Sequence, residues 1–352
     1  MKQRKGSRNR GIVILLFVAV MLTGSIVAYQ FYQKIYRSNV SLQGEKPQAY
    51  IYIPTNSDFN DVVQKLDEKQ LIEDTESFRW VAEKKNYVHS IQPGRYKIEE
   101  GMSNNKLVNL LRSGHQEPLN LIFNNVRTKE QLASKVSRQI EADSAEIVRL
   151  LNDDSYLSEF DFTPQTVYAM FIPNTYEFWW NTGAKGFIKR MYKEYQRFWN
   201  KSRRTKAEKI DFSTIEVSTL ASIVDEETLK DEEMPKIAGV YINRLDRGMR
   251  LQADPTIKFA MGDFTIKRVL KKHLEIDSPY NTYKNRGLPP GPIAIPSIEA
   301  IEAVLNYESH RYLYFCAKPD FSGYHNFAKT HYQHILNARE YQRALNQERI
   351  WK

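Results

Sequence analysis

The feature that most restricts this chain is an apolar run near its start. Residues 12–31 read IVILLFVAVMLTGSIVAYQF and carry no charge. About 20 such residues are enough for a helix to cross the hydrocarbon core of a bilayer. The segment before them, MKQRKGSRNR, holds five lysines and arginines, and such basic flanks stay on the cytoplasmic side. The pattern predicts a cytoplasmic tail over residues 1–10 and a single transmembrane helix over residues 11–32.

A cleaved signal peptide is the alternative interpretation of the same run. The run is long for the apolar h-region of a signal peptide, and Ile26 before Ala28 departs from the small-x-small cleavage pattern. The sequence therefore favours an uncleaved anchor in the cell inner membrane. Residues 33–48 are then expected to form a polar tether, and the remaining chain is expected to be periplasmic.

Composition limits the partners and cofactors expected for the exported part. The net charge of +9 includes the five positive charges of the tail, so no nucleic-acid partner is predicted. Cys316 is the only cysteine and cannot form an internal disulfide. The sequence has no His and Cys cluster at metal-ligand spacing and no phosphate-binding glycine loop, so neither a metal nor a cofactor is expected.

A short pattern occurs three times over residues 49–140. The segments YIYIPTNSDFNDVVQKL, GRYKIEEGMSNNKLVNLL and NLIFNNVRTKEQLASKV each read as a strand, a turn and an amphipathic helix. The helix starts are predicted at Ser57, Ser103 and Thr128, because serine and threonine cap helix N-termini. Strand–turn–helix units of this kind build LysM-like carbohydrate-binding modules, although generic α+β spacers have the same pattern.

The rest of the chain is predicted to be a helical connecting region, 141–205, and a mixed α/β domain, 206–352. The connecting region contains FIPNTYEFWW, whose aromatic side chains suit either sugar stacking or a core. The last domain is predicted to contain helices near 214–229 and 234–247 and a long Pro- and Gly-rich loop. The segments RYLYFCAK and GYHNFAKT follow as a strand pair, before a helix from about 331 to 348. The fold class expected overall is α+β.

One helix of this domain ends in three carboxylates, Asp225, Glu226 and Glu227. At about 100° per residue, only Glu227 shares a stripe with Leu220, Ile223 and Val224. A carboxyl group on an apolar stripe is disfavoured in its charged form, which raises its pKa toward the range of a general acid. The alternative is an ordinary amphipathic helix whose end releases Glu227 to water.

Several motifs together resemble a known family. ASIVDEET, AGVYINRL, GMRLQADPTIKFAMG, YNTYKNRGLPPGPIAIPS, YLYFCA and HNFAKTHYQH occur in the order and approximate spacing of the MltG-type (YceG-like) endolytic murein transglycosylases. PGRYKIEEGMSNNKLVNLLRSG is similar to the LysM-like region of the same family. The resemblance covers roughly residues 50–345. Two positions depart from the family pattern: Ala169 and Met170 stand where many relatives have Glu-Gly, and NYESHRYLYF lacks a common Asn-Pro.

The resemblance implies that Glu227 is the catalytic acid. The implied reaction cleaves the β-1,4 bond between N-acetylmuramic acid and N-acetylglucosamine in nascent peptidoglycan and leaves a 1,6-anhydro end, which would terminate glycan strands. The implied partners are peptidoglycan strands and cell-wall synthesis enzymes such as penicillin-binding proteins. Gln252, Asn281, Tyr283 and His325 are expected to bind substrate.

Asp254 is grouped with the substrate-binding residues, although its position leaves two interpretations open. An aspartate before proline is typical of a turn or a helix cap. A second carboxylate near Glu227 would instead suit a muramidase-type hydrolase. A peptidoglycan-binding scaffold without catalytic activity is a further alternative.

Overall fold

The computed structural model describes residues 5–42, 47–266 and 268–348 of the chain. The start of the predicted cytoplasmic tail (1–4), part of the predicted tether (43–46) and the last four residues (349–352) lie outside the described residues. The chain divides into two compact units. Unit 1 comprises Met1–Leu119 and Glu177–Asn181, and unit 2 comprises Asn120–Tyr176 and Thr182–Lys352. Helices and short antiparallel sheets occur along the chain, consistent with the predicted α+β class.

The chain begins with one long helix, α1, at Lys5–Tyr36. Its segment Arg10–Tyr36 is long and apolar enough to cross a membrane, and its most apolar window is not buried in the protein. Leu15 and Phe17, for example, are 73% and 66% exposed. Such a helix is consistent with a single-pass membrane protein, because a bilayer would cover the apolar side chains that the protein leaves bare.

The segment predicted as a polar tether is partly built into unit 1. Helix α1 continues through residues 33–36, and Val40 is then only 1% exposed. Ser38 and Val40 form antiparallel bridges with Ser103 and Ile72. The polar residues of this segment form hydrogen bonds within the folded unit. Residues 33–42 therefore belong to unit 1 and do not form the predicted solvated tether.

Unit 1 is built around one antiparallel strand pair. Its elements are β1 (Gln48–Ile53), α2 (Phe59–Glu68), α3 (Thr75–Lys84), β2 (Gly94–Glu99) and α4 (Asn104–Ser113). The register of the pair runs from Gln48 opposite Glu99 to Ile53 opposite Gly94. Side chains from both strands and from α2, α3 and α4 share one hydrophobic core. The first two predicted strand–turn–helix units are therefore halves of one structure.

The helix starts agree with two of the three predictions. Ser103 caps α4 and accepts a hydrogen bond from the backbone N–H of Lys106. Thr128 likewise caps the next helix along the chain. At the first site the cap is Asp58 and not Ser57, because Asp58 and Asp61 form a reciprocal capping box.

The chain from residue 119 is mainly helical and contains four short strands. The strands are β3 (Leu119–Ile122), β4 (Thr175–Phe178), β5 (Tyr314–Ala317) and β6 (His325–Ala328). The helices are α5 (Lys129–Ser137), α6 (Ser144–Leu150), α7 (Asp154–Ser158), α8 (Ala184–Phe198), α9 (Lys201–Lys209), α10 (Thr214–Glu227), α11 (Met234–Asp246), α12 (Asp254–Met261), α13 (Ile298–Leu305) and α14 (His331–Gln347). β3 pairs with β4, and β5 pairs antiparallel with β6. The last sheet confirms the predicted strand pair, and α10, α11 and α14 confirm the predicted helices.

Helix α10 lies at the centre of unit 2. Ser213 and Glu216 close a capping box at its start. All residues from 217 to 224 are buried, and α10 packs against α11, α12 and α13. The buried hydroxyls of Ser218 and Thr219 donate to the backbone carbonyls four residues earlier, which satisfies them inside the core. The body of α10 is thus enclosed, whereas the carboxylates at its C-terminal end line a cavity.

The long Pro- and Gly-rich loop packs against α10. The backbone N–H of Ile293 donates to the Ser222 hydroxyl at 3.0 Å. Gly291 lies against the Gln165 backbone so closely that a Cβ atom would come within 2.1 Å of the Gln165 carbonyl oxygen. Glycine is required here because any side chain would collide with backbone that cannot move aside.

The aromatic cluster FIPNTYEFWW divides between core and surface. Phe171, Tyr176 and Phe178 are all less than 8% exposed. Phe171 and Tyr176 pack against the Phe123 ring. Trp179 is 50% exposed. The core interpretation therefore holds for the three buried residues, and only Trp179 presents a substantially open ring.

Candidate active site

The first two carboxylates at the end of α10 are engaged by other side chains. Asp225 accepts hydrogen bonds from the backbone N–H and hydroxyl of Ser297, at 3.0 and 2.7 Å. Burial raises the pKa of Asp225, and the two bonds from Ser297 oppose that rise. Glu226 accepts two hydrogen bonds from the Arg127 guanidinium, at 2.7 and 2.8 Å. Both groups therefore hold neighbouring segments to the helix end.

Glu227, the last residue of α10, has a different environment. Its Oε1 accepts a hydrogen bond of 2.6 Å from the hydroxyl of Tyr241 on α11. Burial raises the pKa of Glu227 to about 7; the Tyr241 bond lowers this pKa, and the nearby charge of Asp254 raises it. A pKa in this range makes both the acid and the carboxylate accessible near neutral pH. A carboxyl group in that balance can both donate and accept a proton.

Two cavities meet at Glu227. One of about 380 Å³ is lined by Glu227, Tyr241, Arg244, Leu251, Gln252, Asp254, Tyr283, Tyr314, Phe315, His331 and His334. The other, of about 770 Å³, is lined by the acidic triplet together with residues that include Arg127, Gln131, Lys135, Leu229 and Asp231. Since both linings include Glu227, an extended ligand could pass the carboxyl group and occupy space on each side of it.

The smaller cavity brings together four of the six residues singled out in the sequence. Gln252 and Tyr283 line it with Glu227 and Asp254. Asp254 is the first residue of α12 and is exposed, and its Oδ1 accepts a 2.5 Å hydrogen bond from the Tyr283 hydroxyl. Burial and the Asp254 carboxylate raise the pKa of Tyr283 well above its usual range, so this hydroxyl stays a donor.

Asn281 and His325 are not brought into this cavity. Asn281 is fully buried, and its amide donates to the carbonyls of Leu274 and Ile276 while its oxygen accepts from the backbone N–H of Tyr283. Its predicted contact with substrate is therefore replaced by a role in holding the loop. The sequence pattern could not reveal this burial, because the partners are backbone groups of an irregular segment.

His325 stands behind one wall of the cavity. Its Nδ1 lies 2.7 Å from an oxygen of the buried Glu233, whose other oxygen accepts from the His325 backbone N–H. The imidazole meets the cavity-lining Phe315 ring edge-on, with 5.3 Å between ring centroids. His325 thus contacts the cavity lining without being part of it, and its binding to substrate stays a prediction.

Tyr241, Arg244 and His334 are cavity residues that the sequence reasoning missed. Tyr241 and Arg244 stand in the quoted segment AGVYINRL, so motif membership was the available signal. Arg244 is 8% exposed, and its guanidinium donates to the carbonyls of Leu313 and Leu251. Burial lowers the pKa of His334, whose ring stacks on Tyr314 with centroids 5.3 Å apart.

Among residues 5–42, 47–266 and 268–348, no group of three or more His, Cys, Asp or Glu is placed to hold a metal ion. The Glu227 carboxyl group has a pKa near neutrality and is hydrogen-bonded to a tyrosine. It lines an open cleft. Those features are typical of enzymes that use general acid–base catalysis.

The chain belongs to the YceG-like family, which matches residues 51–340. It is 29% identical over 321 residues to an endolytic murein transglycosylase of Bacillus subtilis, covering 86% of this chain and 87% of that protein. It is 28% identical to an endolytic murein transglycosylase of Streptococcus pneumoniae, covering 87% of this chain and 60% of the longer relative. The crystal structure of a yceG-like protein from Listeria monocytogenes matches with a TM-score of 0.56 and 29% identity, covering 83% of this chain and 99% of that one.

Proposed function

We propose that this protein is a peptidoglycan lytic transglycosylase, a carbon–oxygen lyase that cleaves murein glycan strands internally. The main support for the proposal is the Glu227 carboxyl group. Its pKa is about 7, and it accepts a 2.6 Å hydrogen bond from Tyr241. It also lines two cavities, one on each side. The relatives named endolytic murein transglycosylases supply the substrate class.

The reaction needs one group that first gives a proton and then takes one. Protonated Glu227 donates to the glycosidic oxygen between N-acetylmuramic acid and N-acetylglucosamine, and the C1–O bond breaks. The carboxylate left behind removes the proton from the muramyl C6 hydroxyl, whose oxygen closes onto C1 to form the 1,6-anhydro ring. Glu227 ends the cycle protonated, and no water is consumed.

Tyr241 supports both halves of that cycle. Its hydroxyl holds Oε1 in one position, and it stabilises the carboxylate that forms after the first proton transfer. Burial raises the pKa of Tyr241 well above its usual value, so the hydroxyl remains protonated throughout. The residue is a positioning group and gives up no proton to the substrate.

A single reactive carboxyl group distinguishes this mechanism from hydrolysis. Asp254 shares the cavity, but its Oδ1 is bonded to Tyr283 and it occupies the first position of α12. This position suits contact with a sugar hydroxyl or stabilisation of the helix start. The muramidase alternative needs Asp254 to act as nucleophile or base, and the tyrosine bond occupies one of its oxygens.

The cleft itself suits cleavage within a strand. A glycan that crosses both cavities would have sugars on each side of Glu227. Gln252 and Tyr283 would bond acetamido or hydroxyl groups, and the stacked rings of Tyr314 and His334 offer an apolar face to a pyranose.

Unit 1 and helix α1 would place this chemistry at the cell wall. Residues 49–140, which resemble LysM-like modules, are assigned a role in binding glycan strands. Helix α1 is assigned the role of anchoring the enzyme in the cell inner membrane, with its N-terminus in the cytoplasm. An anchored enzyme of this kind would act on nascent strands beside penicillin-binding proteins or other synthesis enzymes, and its cuts would end the strands.

Product chemistry tests the proposal against its alternatives. Purified protein is incubated with uncrosslinked glycan strands in heavy-oxygen water, and the released fragments are analysed by mass spectrometry. A lytic transglycosylase gives unlabelled anhydro ends that are lighter by one water than hydrolytic ends, whereas a hydrolase gives labelled reducing ends. A scaffold gives no fragments. With Asp254→Asn, persistence of anhydro ends is expected, whereas labelled reducing ends from the wild type that disappear in this variant would support the hydrolase.

A further inference from the structure

The end of the apolar helix is packed into unit 1 by an aromatic contact. The Phe31 ring on α1 stacks on Trp80 of α3, with 5.3 Å between centroids and 28° between planes. The ammonium groups of Lys34 and Lys84 lie 5.9 and 5.8 Å from the centre of the Trp80 ring. Trp80 is half-buried: it packs against the core of unit 1 and also contacts one residue of the apolar run and two cations.

A buried amide network fixes the junction just beyond this contact. The Asn104 amide donates to the Lys34 carbonyl on α1 at 3.0 Å and to the Ser77 hydroxyl on α3 at 2.8 Å. Asn39 donates to the Asn104 side chain at 2.7 Å and accepts from the Asp74 backbone N–H at 2.7 Å. Asn39 and Asn104 are both at most 5% exposed. Breaking these bonds would leave buried polar groups unpaired, so α1 and unit 1 are held together firmly.

Helix dimensions then set the depth of Trp80. A helix rises about 1.5 Å per residue, so a run of about 20 residues is roughly 30 Å long and fills the hydrocarbon core of a bilayer. Phe31 stands at the end of the apolar run 12–31, and the next charged residue is Lys34. If that run occupies the hydrocarbon, Phe31 reaches its boundary, and the ring stacked on it lies at the same level.

We propose that α3 of unit 1 rests on the membrane surface from which α1 emerges, with the Trp80 indole in the phospholipid headgroup layer. Tryptophan favours this layer because its ring is apolar and its N–H is polar. Lys34 and Lys84 lie where lipid phosphates would meet them. This inference rests on α1 spanning the membrane, and it is independent of the chemistry at Glu227.

The contact depends on the aromatic ring more than on charge. Helix α3 also carries Glu76 and Glu83, which offset its cations. Binding of α3 to the headgroups should therefore be similar on vesicles with and without anionic lipid. A purely electrostatic contact would instead weaken strongly without anionic lipid or in salt.

Fluorescence quenching by brominated lipids tests the placement in the full chain. The protein is reconstituted in vesicles whose acyl chains are brominated near the headgroup, and tryptophan emission is compared with that in unbrominated vesicles. Trp80→Phe keeps a ring against Phe31 and should lose at least half of the lipid-quenched emission. Trp179→Phe is the matched control, since it removes another unit 1 tryptophan that is 50% exposed, and it should retain the quenching.

Flotation of each variant with the vesicles shows that α1 is inserted. Equal lipid quenching in the wild type and Trp80→Phe, with both proteins afloat, would overturn the proposal, as would loss of quenching only in Trp179→Phe. Release of anhydro fragments is measured on the same samples. Wild-type turnover without Trp80 quenching would reject the surface contact alone, whereas quenching without turnover would reject the proposed reaction alone.

Discussion

Replacing Tyr241 by phenylalanine tests whether the hydrogen bond to Glu227 tunes the reactive carboxyl group. The hydroxyl donates to Oε1 at 2.6 Å and lowers the pKa of Glu227 from the value that burial alone would impose. A hydrogen bond to a charged group contributes about 1.5–3 kcal/mol, which corresponds to about 1–2 pH units at about 1.4 kcal/mol per unit. The pKa of Glu227, about 7 in the wild type, should therefore rise by that amount.

The sign of the change follows from which form starts the reaction. Protonated Glu227 gives the first proton, so kcat/KM falls as pH rises through its pKa in the free enzyme. In Tyr241→Phe this falling limb should move about 1–2 units toward higher pH. The maximal rate should also drop, by about 10-fold to 100-fold, because the carboxylate formed in the first step loses its donor.

The assay is a pH profile of anhydro-end release by each protein, with folding checked by circular dichroism. Tyr283→Phe is the matched control, because it removes a hydroxyl from the same cavity that is bonded to Asp254 and not to Glu227. Its falling limb should stay within about 0.3 pH units of the wild type. An unmoved limb in Tyr241→Phe would refute the role given to this hydrogen bond.

Three further predictions concern stability and the choice of carboxylate. Glu227→Gln should abolish anhydro-end release measured by mass spectrometry, and Glu226→Gln should keep it within about tenfold; near-normal release by the first variant would show that another group is the acid. The pKa of Glu227 is raised from 4.5 to about 7, so its ionisation opposes folding as pH rises through that interval. Glu227→Gln should therefore leave stability unchanged at pH 4 and increase it by about 3 kcal/mol at pH 8, measured by thermal unfolding; equal melting temperatures at pH 8 would contradict this. Gly291→Ala should destabilise unit 2 by about 1–3 kcal/mol, and an unchanged melting temperature would mean that the loop moves aside.

Local patterns in the sequence predicted two of the three helix caps and the apolar helix, and they singled out Glu227, whose catalytic role stays a prediction. A cap depends on side chains within three or four residues, as at Ser103 and Thr128. An uncharged run of about 20 residues is long enough to cross a membrane as a helix. The stripe argument separated Glu227 from its neighbours, although α10 is buried on all faces and not on one stripe.

Long-range packing decided the rest of the site. Tyr241 meets Glu227 because α11 packs against α10, and no local pattern reports which residue of one helix faces the end of another. Asn281 has an amide suited to sugar binding, yet the fold buries it and bonds it to backbone. The polar residues after α1 suggested a solvated tether, whereas Asn39 is paired with Asn104, 65 positions away.

The sequence by itself thus determined which residue types were available and where several of the helices and strands form, because those properties depend largely on near neighbours along the chain. Only the tertiary structure decided which polar groups form hydrogen bonds within the protein and which remain available to a ligand. The physical reason is that a buried polar group must find a partner, and that partner comes from whichever segment the fold brings beside it. At the end of α10, Asp225 is hydrogen-bonded to Ser297 and Glu226 to Arg127, and both bonds join neighbouring segments to the helix. Glu227 lines the cleft.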